Sequence, residues 1–201
     1  MLSRETPRPP TYKSMVCVIV TGTPGRGKTT LCHALAKAYD MQYVASDAYI
    51  YEPSSWTKRG IASYLFYLLA RLWSIQDAGQ SWILDVFIDG SDPSHRALEL
   101  VNILFAQKPA LVLFTGGDLE TTIRRVTARH EERVRTRALI CSGMEETDEA
   151  FARLVDKLRA NWEAITKLYD EFEVPEFVRT IRITGDEFAT VDDVASLFAA
   201  A

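Results

Sequence analysis

The chain has few of the residues that mark small secreted or fibrous proteins: among its 201 residues are 3 cysteines, 10 glycines and 8 prolines. Cys17, Cys32 and Cys141 are an odd set without metal-like spacing, which excludes a disulfide framework and makes a reducing, cytoplasmic setting the expectation. So little glycine and proline excludes collagen-like and low-complexity chains. No run approaches the roughly eighteen apolar residues that a membrane span needs. The stretch from Met1 to Ser14 is polar and proline-bearing rather than a charged start followed by an apolar run, so no membrane partner is expected. A basic excess is missing as well: 23 Lys and Arg stand against 27 Asp and Glu, a net charge of −4. Sequence-independent attraction to nucleic acid therefore has no global electrostatic source. His33, His95 and His130 are scattered without ligand spacing and are expected at the surface or behind a site, and no Ser/His/Asp or Cys/His grouping suggests covalent catalysis.

What the chain does have is the makeup of an ordinary folded domain, with 47% hydrophobic and 25% charged residues. Its length suits a tail over 1–14 and one domain over 15–201. Met15 to Thr21 is a continuous β-branched run, as in a strand buried on both faces. Lys28 to Asp40 reads as a helix with Leu31, Ala34, Leu35 and Ala38 on one face, and Gln42 to Ser46 as a short strand ending at Asp47. Ile61 to Ala78 has the apolar spacing of a long buried helix. Trp82 to Ile88 is a third strand, Pro93 opens a helix to Gln107, and Ala110 to Phe114 is a fourth strand. Asp118 caps the next helix, Thr147 caps another that carries Phe151, Leu158, Trp162 and Ile165, and Leu139 to Glu146 lies between them without period. Phe177 to Thr184 is a fifth strand, and Thr190 caps a closing helix to Phe198. Strands alternating with helices, without hairpin signals, predict an α/β fold: a five-stranded parallel sheet with helices on both faces.

The chemistry is concentrated in Gly22-Thr23-Pro24-Gly25-Arg26-Gly27-Lys28-Thr29, which fits G-x-x-x-x-G-K-[ST] between a buried strand and a helix. Gly22, Gly25 and Gly27 allow backbone turns that aim successive N–H groups at a phosphate on a helix N-terminus, with Thr30 next in line. Lys28 then reaches the β and γ phosphates, and the Thr29 hydroxyl is placed for Mg²⁺. No N-K-x-D guanine motif follows a later strand, so a regulatory GTPase is disfavoured. Between the second and third strands aromatic residues gather. Tyr49, Tyr51 and Trp56, in a non-periodic stretch with Lys58 and Arg59 behind them, are candidates for stacking on an acceptor base. Arg125, Arg129, Arg133 and Arg137 recur every fourth residue, one row on a helix, with Arg124 beside it.

With this loop the chain resembles the small P-loop kinases, the group that includes nucleoside monophosphate kinases, shikimate-type kinases and the kinase domain of polynucleotide kinases. The resemblance implies ATP and Mg²⁺ as cofactors, and a helical lid over about 124–147. It implies Asp47 as the base on an acceptor hydroxyl, and Asp85 or Asp89, according to register, as the acid of the third strand at the metal. Arg96 would sit on the acceptor side, Arg125 would pack on adenine and Arg129 would meet the transferring group. Gly185-Asp186 matches the loop that borders the adenine. The expected function is phosphoryl transfer to a hydroxyl of a nucleic acid or nucleoside, including a 5′-hydroxyl or base-borne hydroxymethyl group. Nucleoside monophosphate kinase is the alternative, and a P-loop ATPase or nucleotide-binding switch is the alternative of another class.

Overall fold

The computed structural model describes residues 15–46, 60–86, 93–136 and 147–198, with the backbone alone over 60–64 and 93–99. In chain order the elements are β1 (Cys17–Gly22), α1 (Lys28–Tyr39), β2 (Gln42–Ala45), α2 (Gly60–Asp77), β3 (Trp82–Asp85), α3 (Pro93–Gln107), β4 (Ala110–Phe114), α4 (Leu119–Thr136), α5 (Asp148–Asp170), β5 (Thr180–Ile183) and a closing 3₁₀ helix (Asp192–Leu197). The five strands form one sheet in the order β2-β3-β1-β4-β5, every pairing parallel. The expected α/β architecture is the one found.

The apolar run of β1 is continuous because both faces of the sheet are covered. Val18 and Val20 point to one side, where they meet Leu31, Cys32 and Leu35 of α1 and Val194 and Leu197 of the closing helix. Ile19 points to the other, into a cluster with Leu68 and Leu72 of α2, Ile103 and Leu104 of α3, and Leu158 and Ile165 of α5. The same alternation runs through β4, with Val112 and Phe114 on the α1 side and Leu111 and Leu113 on the other. Register then sets the site: Val20 lies opposite Asp85 of β3, and Gly22 opposite Phe114 of β4. The carboxyl ends of β1, β3 and β4 thus share one edge, where an open α/β sheet takes its ligands.

Helix starts follow the expected chemistry. An Asp118 carboxylate oxygen accepts the Thr121 N–H at 2.7 Å, which opens α4, and Thr147 Oγ1 accepts the Ala150 N–H at 3.2 Å, which opens α5. Several expectations need correction. Ala34 and Ala38 face solvent, and the buried face of α1 is Leu31, Cys32 and Leu35 with Lys28. β1 runs one residue further, to Gly22, and the fifth strand begins only at Thr180, because Pro175 to Val178 turn, with the Val178 N–H donating to the Pro175 carbonyl at 2.9 Å. Thr190 is not a cap. The Asp193 carboxylate accepts from the Thr190 N–H at 2.7 Å and from its hydroxyl at 2.8 Å, and the closing element is a 3₁₀ helix. Among the described residues no helix is long and apolar enough to cross a membrane.

Ile19 is fully buried at the centre of the larger cluster. Ile19→Ala is expected to lower unfolding free energy by about 2–5 kcal/mol, read from urea midpoints at constant m-value.

Candidate active site

The loop from Gly22 to Thr29 turns off the end of β1 under the end of β4. Gly22 has φ 131°, and a Cβ there would stand 2.2 Å from the Phe114 carbonyl oxygen, so no other residue can occupy this place. The Thr23 N–H donates to that oxygen at 3.1 Å. Gly27, at φ 75°, is the N-cap of α1 and offers no side-chain cap, so the first amides of the helix face the loop's concavity as an anion site does. Pro24 and Arg26 are buried, while Thr29 and Thr30 stand exposed on the first turn of α1.

Lys28 is buried and curls back over its own loop. Its ammonium donates to the carbonyls of Gly22 at 2.9 Å and Thr23 at 2.8 Å. Burial draws its pKa down to about 8, against the opposing pull of the Asp85 carboxylate. Beside it, Thr29 Oγ1 donates to Asp85 Oδ2 at 2.6 Å, and the Tyr43 hydroxyl reaches the same oxygen at 3.4 Å. Asp85, one of the two candidate acids of the third strand, is thus brought to Thr29. Asp89 lies outside the described residues.

A hydroxyl and a carboxylate at this spacing, next to a phosphate cradle, fit Mg²⁺. That ion takes one or two protein ligands and completes its octahedron with phosphate oxygens and water. Among the described residues no cluster of three or more His, Cys, Asp and Glu could hold a metal without such help.

The arginines of α4 differ in what they touch. The first half of α4 packs on the loop: Thr122 is buried, its hydroxyl donates to the Pro24 carbonyl at 3.4 Å, and a Cβ on Gly25 would lie 3.1 Å from its methyl. Arg125 donates to the carbonyls of Gly25 at 3.3 Å and Asp186 at 2.5 Å, and its guanidinium lies 4.4 Å from the centre of the Phe188 ring. Phe188 leans over the other end of the loop, where a Cβ on Gly27 would come within 2.5 Å of its ring. It stays 60% exposed, so one side of this cation–aromatic pair is open. Arg129 is exposed, and its charge is felt at Lys28, where it opposes protonation. Arg135 pairs with Glu132 at 2.6 Å at the surface and Arg124 reaches the Thr121 hydroxyl at 3.4 Å, as a solvated helix face does.

Gly185 has φ 83° in open space beside Asp186. Asp47, Tyr49, Tyr51, Trp56 and Arg137 lie outside the described residues, as does the Arg96 side chain. His130, expected at the surface or behind the site, is buried: its ring stacks on Phe151 at 4.2 Å, and Nε2 is 3.0 Å from Asp148 Oδ1. His33 is exposed against the ring of Tyr43. The sequence reading missed Phe188 and the Tyr43 contact to Asp85. A lone aromatic in a polar turn and a tyrosine alternating on a short strand were the available signals.

No protein-family model matches the chain, and no curated protein matches it. Solved structures do. A gluconokinase from Sinorhizobium meliloti 1021 superposes with a TM-score of 0.50 at 16% identity, over 92% of this chain and 90% of that one. A putative kinase from Chloroflexus aurantiacus gives 0.48 at 18%, over 92% and 96%. A shikimate kinase from Acinetobacter baumannii in complex with shikimate gives 0.47 at 19%, over 92% and 91%. At such identities the likeness is one of fold, and the fold is that of the small P-loop kinases.

If Thr29 and Asp85 hold Mg²⁺ together, Asp85→Asn should weaken the metal's contribution to nucleotide binding by about 10–100-fold, with affinity in EDTA little changed. Calorimetric titration with and without Mg²⁺ reads this directly.

Proposed function

We propose that the chain is an ATP-dependent kinase that transfers the γ-phosphoryl group to a hydroxyl of a small molecule. The observation that carries the reading is the meeting of Lys28, Thr29 and Asp85 at the carboxyl ends of β1 and β3, on the loop that this fold uses to cradle phosphate. In this reading Lys28 leaves its loop carbonyls for the β and γ phosphates, and the loop amides hold the remaining oxygens. Thr29 and Asp85 would hold Mg²⁺, which would supply positive charge to offset that of the phosphates. The donor base stacks on the open side of the pair that Arg125 and Phe188 form, by ring stacking and cation–π attraction. Arg129, already within the field of Lys28, meets the charge that develops on the transferring group. Asp47 takes the proton as the acceptor oxygen attacks the γ-phosphorus and the bond to the bridging oxygen breaks, which releases ADP.

A small hydroxylated acceptor is preferred to nucleic acid on two grounds: the net charge of −4 and the similarity of fold to a gluconokinase. A nucleoside monophosphate finds less support, because no arginine follows directly after Asp47 to hold its phosphate. A cytoplasmic location suits an enzyme that draws on ATP and carries unpaired cysteines at positions 17 and 32.

Transfer from γ-labelled ATP to a panel of sugar acids, polyols, nucleosides, monophosphates and 5′-hydroxyl oligonucleotides tests the proposal. The expected result is label on a small hydroxylated acceptor. Label on an oligonucleotide or nucleoside alone would restore the nucleic-acid reading. Asp47→Asn should slow the labelled reaction by about two to four orders of magnitude with ATP affinity nearly constant. An ATPase or switch would hydrolyse ATP without acceptor and tolerate that change. Within the same assay, Arg129→Ala should lower kcat at constant KM for ATP, and Arg125→Ala should raise that KM.

A further inference from the structure

Arg26 has an environment that phosphate binding does not explain. It is fully buried inside the loop, and its Nη1 donates away from the concavity, to the carbonyls of Thr115 at 3.1 Å and Gly116 at 3.2 Å. Its guanidinium lies 5.8 Å from the centre of the Phe114 ring, and Nε and Nη2 have no hydrogen-bond partner among the described residues. Burial draws its pKa below the ordinary value, the field of Asp186 opposes that, and Arg125 adds to it. A buried cation without a carboxylate partner is costly, and an apolar side chain of similar volume would fill the space more cheaply.

The place it occupies is the junction of three segments. The turn after β4, Thr115 to Asp118, is held from every side. Thr23 Oγ1 donates to the Gly116 carbonyl at 3.0 Å, the Gly116 N–H donates to Asp170 at 2.9 Å, and the Asp118 N–H donates to Asp186 at 3.2 Å. Gly117, at φ 111°, makes room: a Cβ there would stand 3.0 Å from Arg26 Nη1 and 3.5 Å from Asp186 Oδ1. The loop that carries Asp186 also carries Phe188 and takes the hydrogen bond of Arg125. The two loop cations therefore work in different halves of the site. Lys28 bonds to Gly22 and Thr23 at the phosphate end. Arg26 bonds to the turn that anchors Asp186.

We propose that Arg26 is a positioning residue for the base half of the donor site, tying the turn after β4 to the phosphate loop and so fixing the loop that presents Phe188 and Asp186 to the nucleobase. This rests on the ATP reading above, and the test separates the two. Wild type, Arg26→Met and Arg26→Lys are titrated calorimetrically with Mg²⁺-ATP and with Mg²⁺-tripolyphosphate, which has the phosphates but no base, and their thermal midpoints are measured.

Wild type is expected to bind ATP more tightly than tripolyphosphate. If it does not, the base site itself falls, and the proposal with it. Arg26→Met should weaken ATP about tenfold or more, as for hydrogen bonds from a charged group, while tripolyphosphate stays within about twofold. Its melting temperature should hold or rise, because an unpaired buried charge has been removed. Equal losses for both ligands would place Arg26 at the phosphates, and no loss for either would make it packing alone; each result overturns the proposal. Should Arg26→Met fail to fold, Arg26→Lys is read by the same criteria, with a smaller selective loss of ATP expected.

Discussion

The close approach of β1 and β4 is the constraint from which the site follows. Where Gly22 faces Phe114, a single added carbon would collide with the Phe114 carbonyl, so the chain can leave β1 only as a tight turn beneath β4. The Thr23 N–H closes on the same carbonyl, and the loop then has to bend back toward α1 through Gly25 and Gly27 at positive φ. That path puts the Lys28 ammonium against the carbonyls of Gly22 and Thr23, and Thr29 against Asp85. The parallel register of β1 and β3 keeps Asp85 at that depth in the sheet. Loosening the β1–β4 approach would draw the lysine and the threonine away from that carboxylate.

Charge is then distributed around the loop. Lys28, Arg26, Arg125 and Arg129 surround the loop, and Asp85 and Asp186 oppose them from below and from the loop after β5. Lys28 and Arg125 are bonded to backbone carbonyls, which leaves their charge available to a polyanion, whereas Arg26 turns its Nη1 to the carbonyls after β4. A site of this kind is held together by hydrogen bonds in the free state and gains its counter-charge when phosphates arrive. The surface pair of Arg135 with Glu132 on α4 has no part in it.

Most of the sheet was readable in the sequence because both of its faces are covered, so β1 and β4 appear as unbroken apolar runs whatever the details of packing. The phosphate loop was readable because its glycines, lysine and threonine are fixed by local geometry. Local rules failed where a near neighbour competes for the same group or where contacts distant in sequence decide the outcome. Thr190 resembles a cap, but Asp193 reaches back to it; Ala34 and Ala38 have the right period but sit on the outer face of α1. Spacing alone left Asp85 and Asp89 both open, and it is the pairing of β3 with β1 that carries Asp85 to Thr29. Arg26 reads as one more loop residue, and its burial is visible only once the turn after β4 is folded over it. Phe188 belongs to the same class, an aromatic whose role comes from Arg125, 63 positions earlier by their numbers in the chain.

A crystal structure of the chain with Mg²⁺ and a non-hydrolysable ATP analogue tests the central claim most directly. The account predicts phosphates in the concavity of the Gly22–Thr29 loop. Lys28 Nζ should be transferred from the carbonyls of Gly22 and Thr23 to phosphate oxygens, and the metal should lie between Thr29 Oγ1 and the Asp85 carboxylate. Nucleotide bound elsewhere, or Lys28 still bonded to its own loop with the phosphates in place, would contradict it.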